Sequence, residues 1–392
     1  MKRRIWMLAV LGLLIVVAAA VWAVPARPPD GVIKPILPVP DPVTALLQQA
    51  AVESPQQFRD LWVFPVTVGR VPVYGDCLTV DEAFAARVLE VTEYAGGSVN
   101  RVVVLNRSSR PVFLMAGEML GGARQDRIIG EDVLAPPGAK VDISVYCVEA
   151  HRWTGGQEFH TLGKVAAGPV RRAAETTGSQ SDVWAGVSAQ AEQFSVATPS
   201  AALREVQSDA RVARERQPYV DALTGLPGKW PRANGVVVAV GREFLVADVF
   251  SSPDLFRRLW PKLLESYVMD ALSRQETVAN LRLTPPSRQE AERFLGQAMN
   301  ASSRQMPTPG MGRLIRLQGQ VAGSALLVTL PSLLLGRPGE DYPTDRPIRA
   351  FEAVVHLDLF PAAVALPMLE ERSGGMNLDI RRRAHGGGDV VY

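Results

Sequence analysis

Two cysteines and four histidines in 392 residues leave little for thiolate or imidazole metal chemistry. Cys77 and Cys147 lie far apart, and His151, His160, His356 and His385 are dispersed, so no structural zinc site is expected and no metal ligand is assigned. A Walker loop, a GxGxxG turn after a strand, an HExxH helix, a CxxC pair and the Gly-Xaa-Ser-Xaa-Gly elbow are all missing, which removes the nucleotide-hydrolysing, dinucleotide-binding, zinc-protease and serine-hydrolase classes that those motifs mark. Charge of one sign is missing too. With 42 Lys and Arg against 40 Asp and Glu, the net charge of +2 lacks the basic stripe of a nucleic-acid binder, so no nucleic-acid partner is expected. No cofactor is indicated, and whether the chain is an enzyme is left open.

What is present begins with an address. Lys2, Arg3 and Arg4 precede twenty uncharged residues, 5–24, enough to cross a hydrocarbon layer as a helix. The basic flank stays cytoplasmic, which puts everything after Val24 on the far side. The run exceeds an ordinary signal-peptide core, although Ala23 and Ala26 suit a cleavage site. Residues 1–24 therefore read as a signal anchor or signal peptide: a single-pass cell-membrane protein with an extracytoplasmic domain, or a secreted one if the segment is cleaved. Seven prolines in residues 25–43 make an extended stalk, residues 44–366 form the domain, and residues 367–392, with Arg381 to Arg383 and Gly386 to Gly388, read as a disordered tail. An oxidising compartment permits a disulfide, but Cys147 lies in phase with core residues, so the expectation is a buried pair of free thiols.

The domain reads as α+β, with a β-rich N-terminal half, a helical middle and a further strand hairpin with helices. A short helix is expected over residues 44–53, strands over 61–68, 88–94 and 101–105, and a capping box at Thr79 and Glu82 opens a helix ending near Arg87. Residues 154–181, rich in Gly, Thr and Ser, read as a mobile loop containing a solvated His160. Helices follow over 182–194 and 199–216, the second capped by Thr198, with its arginines on a solvated face. A hairpin turns at Gly241 and Arg242. A long helix then runs from Ser252 to Arg274 with Pro261 inside it, and Ser287 with Glu290 caps another. The segments LVADVF and VVHLDLF echo each other, which would make Asp248 and Asp358 matched positions; His356 shares a strand face with Asp358, as a His/carboxylate couple or simply a core histidine.

Chemistry concentrates in residues 111–153. From Lys140 the strand alternates, with Val141, Ile143, Val145 and Cys147 on one face, and Glu149 falls on that same apolar face, where a carboxylate needs a partner. Upstream, Gly117, Glu118, Gly121 and Gly122 run into Arg124, Gln125, Asp126 and Arg127, a glycine-loosened arginine loop able to offer guanidinium forks and backbone N–H groups to an anion. The plain alternative is an internal ion-pair network of Glu118, Asp126, Arg127, Glu131, Glu149 and Arg152.

The phrases GEMLGGARQDRI, VDISVYCVEAHRW, VADVFSSPDLFRRLWPKLLESYVMDAL and VVHLDLF, spread over residues 56–360, resemble the ARG and rhodanese-phosphatase-superfamily-associated protein domain, a bacterial family. Asp126 departs from the Asn typical of its pattern, and Ala150 with His151 from a Gln-Gly pair. The resemblance implies association with ADP-ribosylglycohydrolase-like and rhodanese-phosphatase proteins, not a reaction.

Two functions remain. In the first, a small anionic ligand, nucleotide or ADP-ribose-like, is held by Arg124, Gln125, Asp126, Arg127 and Arg152, with Trp153 stacking and Glu118 and Glu149 as the catalytic acid/base pair. In the second, the stalk displays a non-enzymatic interaction module of the cell envelope whose protein partner is unknown.

Overall fold

A computed structural model describes residues 41–362 apart from Gly96, 280–284 and 331–350, and without the side chains of 275–279. It is a mixed α+β structure with a β-rich N-terminal half. The apolar run 5–24, most of the stalk, the tail and the insert at 331–350 lie outside the described residues; no helix among those described is long and apolar enough to cross a membrane.

A nine-stranded antiparallel sheet forms the base. Its order is Ala50–Val52, Leu61–Val68, Ala233–Val240, Glu243–Phe250, Phe351–Pro361, Val321–Leu330, Arg313–Gln318 and Ser302–Met306, with Gln56–Phe58 also paired to Leu61–Val68. Ala233–Val240 is buried at every position, as a continuous apolar run between two covered faces requires. One face meets the long helix Pro253–Ala279, which brings Leu255, Phe256, Leu259, Leu263 and Leu264 into the main core. The other face is covered by Asp41–Gln49 and Arg288–Gly296, through Leu46, Leu47, Phe294 and Leu295.

Beside this base, a six-stranded sheet and a three-stranded one enclose a third core. The first runs Phe159–Val165, Glu118–Gly122, Arg127–Ile129, Lys140–Cys147, Arg101–Asn106 and Leu89–Glu93; the second runs Val133–Ala135, Val112–Leu114 and Leu78–Thr79. Val91, Val104, Ile129, Ile143 and Val145 fill the space between. Both expected capping boxes are present, at Thr79 with Glu82 and at Ser287 with Glu290. The strand bounds at Leu61–Val68 coincide with the sequence reading, and Lys140–Cys147 starts as expected but stops two residues short of Glu149. Cys77 and Cys147 are buried and free.

Three expectations are corrected. Residues 154–181 are not a loop: they hold the strand Phe159–Val165, the helix Gly168–Arg172 and a π-helical turn, Ala173–Thr177. The reason is physical. The buried face of these last two elements is Val170, Arg171, Ala174 and Glu175, and a helix that buries charge shows no apolar stripe. The helix expected over 199–216 is two, Leu203–Ser208 and Ala210–Leu223, broken at Asp209, whose carboxylate accepts from the Arg211 and Val212 amides. The first helix is Asp41–Gln49, and Ala50–Val52 leaves it to pair with residues 66–68. The echoing hairpins do share one sheet, in which Asp248 stands directly opposite Asp358.

Candidate functional site

The arginine loop and the end of the Lys140–Cys147 strand meet because Arg127 pairs in register with Cys147. That rung puts Arg127 on the face of Val145 and Ile143, so its guanidinium enters the third core and is fully buried. Arg127 Nη1 donates to the carbonyl and Oε1 of Gln125, and Nη2 lies 3.8 Å from Glu93, whereas Nε and Nη2 have no hydrogen-bond acceptor among the described residues. Above it, Trp153 is 44% exposed, with the Arg124 and Arg127 guanidinium carbons 5.5 Å and 5.9 Å from its ring centre.

Backbone N–H groups of the glycine-loosened loop do meet carboxylates, and these belong to the chain itself. Glu149 accepts from the Asp126 amide at 3.0 Å and from Arg152 at 2.8 Å and 2.6 Å. Asp126 accepts from the Gly122 amide, and Arg152 and Arg204 approach it at 3.3 Å and 3.2 Å. Burial pushes the Glu149 carboxyl up, but hydrogen bonds from Arg152 and the Asp126 amide outweigh it and hold the group below the usual carboxylate range. For Asp126 burial prevails and its carboxyl is raised. Gln125, Asp126, Arg127, Glu149, Arg152 and Trp153 are thus brought together with Arg124, around a rim where four guanidiniums face the three carboxylates of Glu93, Asp126 and Glu149.

Glu118 stands apart from this rim. It is buried against Lys262 of the long helix, which also binds Asp81 at 2.6 Å, and it accepts from the Met115 amide. Burial lifts its carboxyl despite Lys262; Lys262 itself, which burial would lower, is raised by Glu118 and Asp81 and stays charged. Among the described residues Glu118 and Glu149 share no partner, so they do not form the expected acid/base pair there. An open cleft of about 510 Å³ is lined by Val99, Asn100, Ser144, Tyr146 and Gln180 among others, and by none of the eight residues assigned from sequence.

A second cluster, deeper and denser, went almost unread. Asp248, His356 and Asp358 project from the large sheet toward the main core, where they meet Arg171, Glu175, Tyr267 and Asp132; all seven are 3% exposed or less. Arg171 forms a fork on Asp248 at 2.7 Å and 3.1 Å, reaches Glu175 at 2.9 Å, and lies 3.9 Å from Asp358. His356 binds Asp132 through Nδ1 at 2.8 Å and Asp248 through Nε2 at 3.1 Å, with Phe250 stacked on the ring at 4.3 Å. Tyr267 donates to Asp248, and Ser324 donates to Asp358 through its amide and its hydroxyl. Burial would discharge His356, but Asp132 and Asp248 outweigh it and raise the imidazole to about 10. Asp248, pushed up by burial, is pulled far below the usual range by Arg171 and His356. Burial, and then the Asp358 charge, drive the Glu175 carboxyl well above its usual range. Gly117 makes room for this arrangement: its φ is +84°, and a Cβ there would lie 2.9 Å from the Arg171 side chain. The paired Asp248 and Asp358 and the nearby His356 were the only sequence signal; Arg171, Glu175, Tyr267 and Asp132 carried none.

A family model described as the ARG and Rhodanese-Phosphatase-superfamily-associated Protein domain matches residues 49–335. No curated protein and no solved structure matches the chain.

Proposed function

The chain belongs to that family, whose model spans most of its length, and from this premise we propose that the domain binds a small anionic ligand of the nucleotide or ADP-ribose type at the rim around Trp153. The observation that carries the reading is an exposed indole flanked by two guanidiniums, one of them the buried Arg127, whose Nε and Nη2 have no hydrogen-bond acceptor among the described residues. A flat ring stacks on the indole while an acidic group meets the half-buried Arg124 guanidinium. Binding, rather than turnover, fits the carboxylates: Glu149 is clamped by Arg152, and Glu118 is held elsewhere by Lys262, so neither offers a free base. The ligand class rests on analogy with the proteins for which the family is named.

Thermal denaturation in phosphate, AMP and ADP-ribose tests this. Saturation a hundredfold above Kd stabilises a folded domain by about 2.7 kcal/mol. The nucleotides should raise the midpoint of the unaltered protein and fail to do so in Trp153→Ala and Arg124→Ala. No shift with any of the three would end the proposal, and equal shifts in Trp153→Ala would remove the stacking role.

The same reading keeps residues 5–24 as a membrane anchor, with the stalk and domain outside the cytoplasm. Resistance of the full chain to alkaline extraction, with the domain open to protease from the far side only, is the expected result.

A further inference from the structure

The core cluster holds more carboxylates than its cations can balance. Asp132, Glu175, Asp248 and Asp358 face Arg171 and the His356 ring, all out of reach of solvent. Arg316 donates to the Glu175 backbone carbonyl rather than to its carboxylate. Glu175 Oε1 is taken by Arg171, but Oε2, fully buried, has no donor among the described residues, and the group lies against Asp358 and Asp132. A wholly buried carboxylate oxygen without a donor is costly even when Arg171 holds its twin.

We propose that the side chains of Asp132, His356 and Asp358 bind one divalent first-row metal ion, manganese, iron or zinc, with the buried Glu175 carboxylate as their outer support. Donor atoms of Asp132, His356 and Asp358 lie within 4.8 Å of one another, and opposite ligands of an ion with bonds of about 2.1 Å are about 4.2 Å apart, so only a small contraction is needed. The ion takes the place of the proton between His356 Nδ1 and Asp132, which are 2.8 Å apart. His356 Nε2 then donates to Asp248, which Arg171 and Tyr267 hold as an acceptor, the carboxylate–histidine support that metal-bound imidazoles use. Were all four carboxylates ionised and the imidazole neutral, a divalent ion and Arg171 would leave one excess negative charge where the imidazolium and Arg171 leave two. Oxygen donors with a single imidazole and no thiolate favour these metals over copper(I) or an iron–sulfur centre. Its ligands come from the loop before Val133–Ala135 and from the large sheet, so the ion fastens the three-stranded sheet to the base.

The site is sealed, so the full chain should be produced, or refolded, with Mn²⁺ or Zn²⁺, dialysed, and its metal content measured. The expected result is one equivalent per chain, with X-ray absorption at the metal edge showing nitrogen and oxygen neighbours at about 2.1 Å and imidazole scattering. Glu175→Gln keeps the Arg171 acceptor and supplies an amide donor toward Asp358, so it folds without metal; its retained metal should fall about tenfold or more. His160→Gln, at an exposed position, should retain the full equivalent. Well under one equivalent in the unaltered protein would overturn the proposal in favour of a proton shared by Glu175 and Asp358. Full retention by Glu175→Gln, or a sulfur neighbour at the metal edge, would overturn it equally.

Discussion

The rim at Trp153 and the core cluster at Arg171 are built from the same residue types with opposite charge balance. At the rim four arginines meet three carboxylates, and Arg152 and Arg204 still reach solvent, their side chains 25% and 40% exposed. In the core four carboxylates meet one arginine and one imidazole, with no exposure to speak of. Excess cation at an edge leaves donors for an arriving anion; excess anion in a sealed core must be compensated during folding. One kind of network therefore suits recognition and the other suits assembly.

The largest test of that contrast removes one arginine from each. Arg171→Met leaves Asp248, Glu175 and Asp358 facing each other in the dark interior and should cost about 3–5 kcal/mol or prevent folding. Arg152→Met strips Glu149 of its fork at a position water can reach and should cost about 1–3 kcal/mol. Urea denaturation of both variants ranks them; equal losses would erase the distinction between the two networks.

Asp270 sharpens the comparison from between the two. It is a buried carboxylate that accepts from the Gly168 amide, with Arg274 no closer than 3.6 Å. Burial lifts it from 3.8 to about 6 against those weak partners. A carboxyl raised on folding stabilises the protein below its unfolded value and loses that contribution as pH rises through the folded one, so Asp270 disfavours the folded state above pH 6 by about 1–3 kcal/mol. Asp270→Asn keeps the acceptor for Gly168 and sheds the charge. Its denaturation midpoint should exceed that of the unaltered protein at pH 8 and converge with it near pH 4; a gain independent of pH would show that charge is not the cause.

How much of this the sequence disclosed follows from distance along the chain. Capping boxes at Thr79 and Ser287 and the alternating strand Lys140–Cys147 are local patterns, and they were read correctly. The rim was readable because Arg124 to Arg127 and Glu149 to Trp153 are dense runs joined by a single strand pairing. Glu118 was misplaced because sequence phase does not say which helix will cover a strand, and Lys262 arrives from 144 positions away. The core cluster is drawn from segments as far apart as Asp132 and His356, 224 positions, and no single segment supplies more than two of its members. Arg171 and Glu175 were lost when their helical segment read as a loop.

The smallest expected effect belongs to Trp153 itself. The residue is 44% exposed and joins no hydrophobic cluster among the described residues, so little apolar area returns to water when it is shortened. The guanidiniums of Arg124 and Arg127 lose a ring contact that is worth about 0.5–1 kcal/mol at an exposed site. Trp153→Ala should therefore shift unliganded stability by about 1 kcal/mol or less, while abolishing the nucleotide-dependent gain. A residue kept for packing would behave in reverse: several kcal/mol lost without ligand, and an unchanged increment with it. Measuring the same variant with and without ADP-ribose separates the two, because stability and recognition make opposite demands on one exposed indole.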